Sequence, residues 1–401
     1  MNVNILKLLC LLFPAMLLAA VVQSGAYEKV AVGGLGDPKV ETFGPIVEFH
    51  GFLYVAGLNV HEGCQVWRSQ DGNRWEIVVG PGAKTASGFG NSKNTSINEL
   101  LVFRGWLYAG IWNEEQGAEL WKTKDGELWQ AVVGDGAAVA NGFGQLQNSG
   151  ITALKSFKGL LIAATGSLYC NEDAPGTEIW LSKDEGASWE PVAGRRFHPQ
   201  LSLSRDAKYI LDLEVFQNKI YAATGDQRQG GAEIWRSADG ISWEPVVGAG
   251  AKHGTSMGNP GQDMIYDLTV FSGHLYAAVL SHENQGGALW RSSDDLTWEI
   301  IVGDKDSRHP SGFNDKENYG FISLAEFGSR LFLATANKQG TQLWTSQNGA
   351  EWEQILRPEK SESIDDTANT WILSMTTYQG NLYATTSNSK QGAEIWRMHP
   401  L

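Results

Sequence analysis

The 401-residue chain is short of cysteine, of positive charge and of helical periodicity, and each shortage excludes something. It has three cysteines. Cys10 lies in an apolar leader, while Cys64 and Cys170 fall in non-adjacent segments. Neither a zinc-type spacing nor a Cys-x-x-Cys pair occurs, so a zinc module and a redox dithiol drop out. Two free thiols are expected. Lys and Arg number 31 against 45 Asp and Glu, a net charge of −14. No basic patch interrupts that acidity, so nucleic acid is not an expected partner. No 3.6-residue amphipathic stretch occurs, which sets helical folds aside. His-Glu-x-x-His and P-loop motifs are missing. No metal and no cofactor is expected.

Long apolar runs are also missing, with one exception. Residues 8–22 are apolar, follow a single Lys and end at Ser24-Gly25-Ala26. Small residues there are what signal peptidase requires. The expectation is a signal peptide over 1–26, cut after Ala26, and a secreted or periplasmic protein. Pro14 and the small-residue exit favour cleavage over an uncut anchor. Without the leader the chain has 30 bases against 45 acids, a net −15. It is expected to be a monomer with no other membrane attachment.

What the chain has in excess is glycine (47) and tryptophan (16), and both recur at a fixed period. The pattern Gly-x-x-(Ile/Leu/Val)-Trp ends at Trp67, Trp121, Trp180, Trp235, Trp290, Trp344 and Trp396, 52–59 residues apart. An apolar run such as FLYVAG or KIYAATG precedes each copy. Before that comes a run closing on an aromatic and a turn, such as INELLVFRG or ILDLEVFQN. A fourth run, such as WEPVVG, follows six copies. Four short strands per period, joined by tight turns, predict an all-β fold, a seven-bladed β-propeller of four-stranded antiparallel blades. Blades one to six span 43–80, 95–134, 150–194, 208–248, 263–303 and 319–357. Residues 370–397 supply three strands of blade seven. Residues 27–33, which resemble the fourth run, complete it and close the ring. Residues 27–401 thus form one domain.

Between the third and fourth runs lie SQDGNRW, TKDGELW, SKDEGASW, SADGISW, SSDDLTW and SQNGAEW. They resemble the Asp-box, or BNR repeat, Ser-x-Asp-x-Gly-x-x-Trp. Ser182–Trp189 matches it fully; four others are one residue shorter, and the last has Asn348 for Asp. The resemblance covers the mature chain and implies a sialidase-like propeller architecture. Asp71, Asp125, Asp184, Asp239, Asp294 and Asn348 are read as structural. Each can accept N–H bonds from its own turn, with Gly supplying positive φ. The sialidase catalytic set is not matched. No Arg-Ile-Pro occurs, and the first arginine after the leader, Arg68, lies in a structural strand.

Short turns share one face with the boxes, so function is expected on the other, in the long loops 81–96, 135–150, 195–209, 249–264, 304–320 and 358–371. Candidate ligand-binding residues are Tyr209, Asp212, Tyr266, Asp267, Tyr319 and Trp371 near the starts of first strands. Trp112, Arg228 and His282 join them from second-to-third loops. Aromatic faces stack on sugar rings, and acids bond hydroxyls. The packing alternative is a rim of aromatics with acids bonded to neighbouring backbone. No catalytic residue is assigned. The expected function is a binding or scaffold module for a protein or glycan. A glycoside hydrolase or lyase and a multivalent lectin are the alternatives. The loops differ between blades, which favours one asymmetric site. Asn94-Thr95-Ser96 is a glycosylation sequon in a long loop, relevant only in a host that glycosylates.

Overall fold

The computed structural model describes residues 27–167, 176–194, 208–225, 231–248, 251, 261–281, 285–303, 307–356 and 368–400. They form one large sheet, antiparallel except for a short parallel pairing of 302–303 with 309–310 and single parallel bridges of Val79 with Thr85 and Val133 with Val139. Helix is limited to single turns among the described residues. The strands run as meanders. In the first, Thr42–Phe49, Phe52–Leu58, Gln65–Ser69 and Glu76–Val79 each pair with the next. Later meanders start at Ser96, Gly150, Tyr209, Gln262, Asn318 and Trp371. The one from Trp371 has three strands, ending at Ile395–Met398. Tyr27–Ala31 pairs antiparallel with that last strand. Thr42 pairs with Ser387.

First and second strands join through two residues in left-handed conformation, such as His50-Gly51 (φ 49° and 76°). Paired positive φ matches the twist of a hairpin, so the aromatic-then-turn pattern dictates the connection. Apolar residues point to both faces because meanders stack on one another. Trp235 and Trp243 pack with Ile162, Leu181 and Val192 of the preceding meander. Tyr54 and Val66 pack with Leu100 and Leu107 of the following one. Val40, Phe43 and Trp67 pack with Tyr378, Tyr383 and Ile395, joining the chain's two ends. The core is therefore a series of seams between meanders.

The Asp turns behave as their sequence suggests. Asp239 Oδ1 accepts from the Ile241 and Ser242 N–H groups, both at 2.8 Å, and from Ser237 Oγ at 3.0 Å. Those N–H groups hold its carboxyl below its ordinary value. Asn348 does the same with a neutral amide oxygen, accepting from Ala350 and Glu351 at 2.9 and 2.8 Å. Asp239→Ala is therefore expected to cost about 1–2 kcal/mol, discounted for its exposure. Asp239→Asn is expected to cost only a few tenths. Urea unfolding of both variants checks this; an alanine variant as stable as the parent would refute it. Glycine is required where the turn meets the neighbouring meander. A Cβ on Gly126 (φ 79°) would lie 1.9 Å from the Tyr54 hydroxyl.

Among the described residues, three of the long-face loops are more uniform than their sequences suggest. At 87–90, 141–144 and 311–314 a Gly-Phe pair is left-handed at both residues. It lays Phe89, Phe143 and Phe313 on Trp121, Trp180 and Trp344, with centroids 4.9, 4.5 and 3.9 Å apart. Gly34-Leu35 repeats the conformation. Asn94, Asn148 and Asn318 then bond back to Gly88, Gly142 and Gly312 carbonyls at 2.9 Å. Asn94 also donates to Glu119 Oε2 at 2.8 Å and is fully buried. A glycan on the sequon is therefore incompatible with this packing. No helix among the described residues is long and apolar enough to cross a membrane; the leader lies outside them.

Candidate functional site

The first strands share one irregularity. Register shifts between Ile97 and Glu99, Ile151 and Ala153, Ile210 and Asp212, Ile265 and Asp267, Phe321 and Ser323, and Ile372 and Ser374. A bulge re-aims the side chains around it. Here it turns them into a cavity of about 810 Å³ enclosed by the first strands. Glu99, Asp212 and Asp267 occupy the same place in Ile-x-(Glu/Asp)-Leu copies of the second, fourth and fifth meanders, and Ala153 holds that place in the third.

Each carboxylate has a distinct set of partners. Asp212 accepts from Leu213 N–H and, across the seam, from Leu268 N–H, both at 2.7 Å. Asp267 accepts from Thr269 Oγ1 and, across the next seam, from Leu324 N–H, both at 2.8 Å. Lys155 Nζ bonds Glu214 Oε2 at 2.6 Å between adjacent first strands. Glu99 accepts only its neighbour's N–H, from Leu100 at 3.2 Å, among the described residues.

These acids resist ionisation. Burial, then the Asp212 charge, pushes Glu99 up to about 8, against the pull of Lys155. Burial raises Asp212 despite Lys155. Burial, then Asp212, raises Asp267. Lys155 is held above its ordinary value, because Glu214, Asp212 and Glu99 outweigh the effect of its own burial. Among the described residues no three His, Cys, Asp or Glu side chains converge to hold a metal ion.

Aromatics stand on two sides. Trp112 and Tyr209 line the cavity with centroids 6.2 Å apart and planes at 41°. Tyr266 lines it elsewhere and meets Trp371 edge-on at 5.7 Å. Tyr319 meets the same Trp371 at 6.1 Å. Of the sequence candidates, Trp112, Tyr209, Asp212, Tyr266 and Asp267 thus share the cavity wall. Tyr319 and Trp371 pack behind Tyr266 in a small apolar cluster. Arg228 and His282 lie outside the described residues. The packing alternative applies as well: Asp212 and Asp267 do bond neighbouring backbone.

Sequence reasoning missed Glu99, Lys155 and Glu214. Glu99 was legible, since INELLVF aligns with ILDLEVF and IYDLTVF. Lys155 and Glu214 carried no such signal, because their meeting depends on which strands face the cavity. The pentapeptide GTSMG (254–258) fits Gly-x-Ser-x-Gly formally, but it too lies outside the described residues.

No family model and no curated protein matches the chain. Solved structures resemble it. YCF48 from Cyanidioschyzon merolae superposes with a TM-score of 0.56 at 10% identity, over 94% of this chain and 99% of that one. A GH74 enzyme from Niastella koreensis gives 0.58 at 14% identity, over 92% of this chain and 55% of that one. The GH74 xyloglucanase from Xanthomonas campestris gives 0.54 at 17%, again over 92% and 55%. The chain spans about half the length of both GH74 enzymes. Likeness at such identities shows the fold alone. The fold is a β-propeller, of the kind these structures share.

Proposed function

We propose that the protein is a binding propeller which takes a saccharide in its central cavity. The observation that carries this reading is that Trp112, Tyr209 and Tyr266 line the same cavity as Asp212 and Asp267. Flat aromatic faces suit the apolar face of a sugar ring, and carboxyl groups bond its hydroxyls. About 810 Å³ is room for a short oligosaccharide. The reading includes seven blades closed by the N-terminal strand. The seven meander starts and the pairing of Tyr27–Ala31 with Ile395–Met398 support it. It also includes export through the N-terminal leader, resting on the apolar run and its small-residue exit.

Hydrolysis is the second reading, favoured by the raised carboxyls of Asp212 and Asp267, since a poised acid beside an ionised partner suits glycoside cleavage. The lectin alternative draws no support from the described long loops. The repeated loop residues, Phe89 and Asn94 and their equivalents, are turned into the seams.

A glycan array with a fluorogenic glycoside panel tests the proposal. Saccharide binding without turnover is expected. Trp112→Ala is expected to weaken it about ten-fold or more, as loss of a stacking face in an enclosed site costs roughly 1–3 kcal/mol. Steady turnover of any glycoside would favour the second reading, and no saccharide binding at all would end the first.

A further inference from the structure

We propose that the ligand carries a cationic nitrogen: the cavity takes an amino-substituted saccharide, whose ammonium group Glu99 receives while Trp112 and Tyr209 flank its ring. The inference rests on the saccharide reading above and narrows it to one class of sugar.

The cavity is lined by more acids than bases. Its wall holds Glu99, Glu114, Asp212, Glu214 and Asp267 against one cation, Lys155. Lys155 is already committed to Glu214. Asp212 and Asp267 are committed to backbone across two seams. Glu114 accepts the Trp112 indole N–H at 3.1 Å. Glu99 remains. One of its oxygens takes the Leu100 N–H, and the other has no hydrogen-bond partner among the described residues. That partly exposed oxygen lines the cavity and is open to a donor from a ligand. It stands in the same cavity as the wedge formed by Trp112 and Tyr209.

The three kinds of sugar fare differently in this setting. An anionic sugar would meet an acidic wall with its only cation spent. A neutral sugar could fill the space but gives the acids no charge to ionise against. An amino sugar brings the missing positive charge and keeps the ring that the aromatics accept. Glu99 is held largely protonated near neutrality by burial and by Asp212. An arriving ammonium reverses that balance, so binding expels a proton from Glu99.

Three disaccharides of one shape make the test: β-1,4-linked diglucosamine, its di-N-acetyl form, and cellobiose. They differ at carbon 2 only, as amine, acetamide or hydroxyl. Calorimetry at about pH 6.5 and low salt is expected to show the diamine binding about ten-fold tighter than either neutral sugar. Titrations in buffers of different ionisation enthalpy are expected to show proton release with the diamine alone. Glu99→Gln is expected to lower diamine affinity to the neutral level, abolish proton release and leave the melting temperature unchanged. Asp239→Asn, on the opposite face, leaves all three affinities as they were. Equal affinity for the three sugars overturns this inference and leaves the saccharide reading standing. Binding of array glycans but not of the diamine overturns it equally. Proton release that persists in the Glu99→Gln variant overturns the assignment to Glu99.

Discussion

Replacing Asp295 with asparagine is expected to destabilise the protein by about 2–4 kcal/mol, a large effect for exchanging one oxygen for an NH2 group. Asp295 is 1% exposed and stands where three other Asp turns and the Asn348 turn have glycine. It keeps a positive φ of 60° there. Its carboxylate receives Lys219 Nζ at 2.7 Å, and also Arg236 Nη1 and the Tyr221 hydroxyl, all from the preceding meander. Where glycine stands, as at Gly126, the tyrosine hydroxyl points into the space a side chain would need. At Asp295 the same tyrosine has become a donor instead. Asparagine tolerates the backbone but leaves Lys219 without a counter-charge. The cost is moderated because Arg236 keeps Glu244 and Lys219 can reach water.

The effect has a pH signature. Burial pushes the Asp295 carboxyl up, but Lys219, Tyr221 and Arg236 outweigh it and hold it below its ordinary value. A depressed carboxyl stabilises fully above its unfolded pKa, about 3.9. That stability is lost as pH falls through the lower, folded value. The gap between parent and Asp295→Asn is therefore expected to be constant above about pH 5 and to close in stronger acid. Denaturant unfolding at several pH values measures it. A gap that widened on acidification would contradict the assignment.

Deleting residues 27–31 is expected to cost more, on the order of 4–6 kcal/mol. The strand's ladder with Ile395–Met398 is lost, and so is the packing of Tyr27 on Trp396. Glu394, 2% exposed, loses Lys29 at 3.0 Å and keeps only Asn369 and Trp396. An unpaired edge is also a template for other chains. The truncated protein is therefore expected to self-associate more than the parent in sedimentation runs, and a synthetic peptide of residues 27–33 is expected to restore its melting temperature and reverse that association. A truncated protein as stable and as monomeric as the parent would refute the role of this strand.

The propeller was legible because its determinants are local. His50-Gly51 and its equivalents impose a hairpin, Asp239 and its equivalents impose the next, and tryptophans repeat at the same step. The cavity was legible only in part. Asp212 and Asp267 could be placed from their position in the first strand. The bulge that turns them inward depends on register between strands and leaves no mark in composition. The long loops were read as varied because most of their residues differ. Their common form rests on the short Gly-Phe and Asn signals at 88–94, 142–148 and 312–318. Asn94 shows how a surface motif can mislead, since its amide is one of the most enclosed polar groups in the chain.

The pairing of Tyr27–Ala31 with Ile395–Met398 also orders events in time. A ribosome makes the first of these strands long before the last. Every other strand pair within a meander can form as soon as its hairpin is complete, but this one, like the contact of Thr42 with Ser387, must wait for more than 340 intervening residues. Until then the earliest segment of the domain has no partner, and the seam it seals stays open. Assembly thus ends where translation began. A stop codon that removes only the last few residues and a defect confined to the first few should leave the same unfinished species.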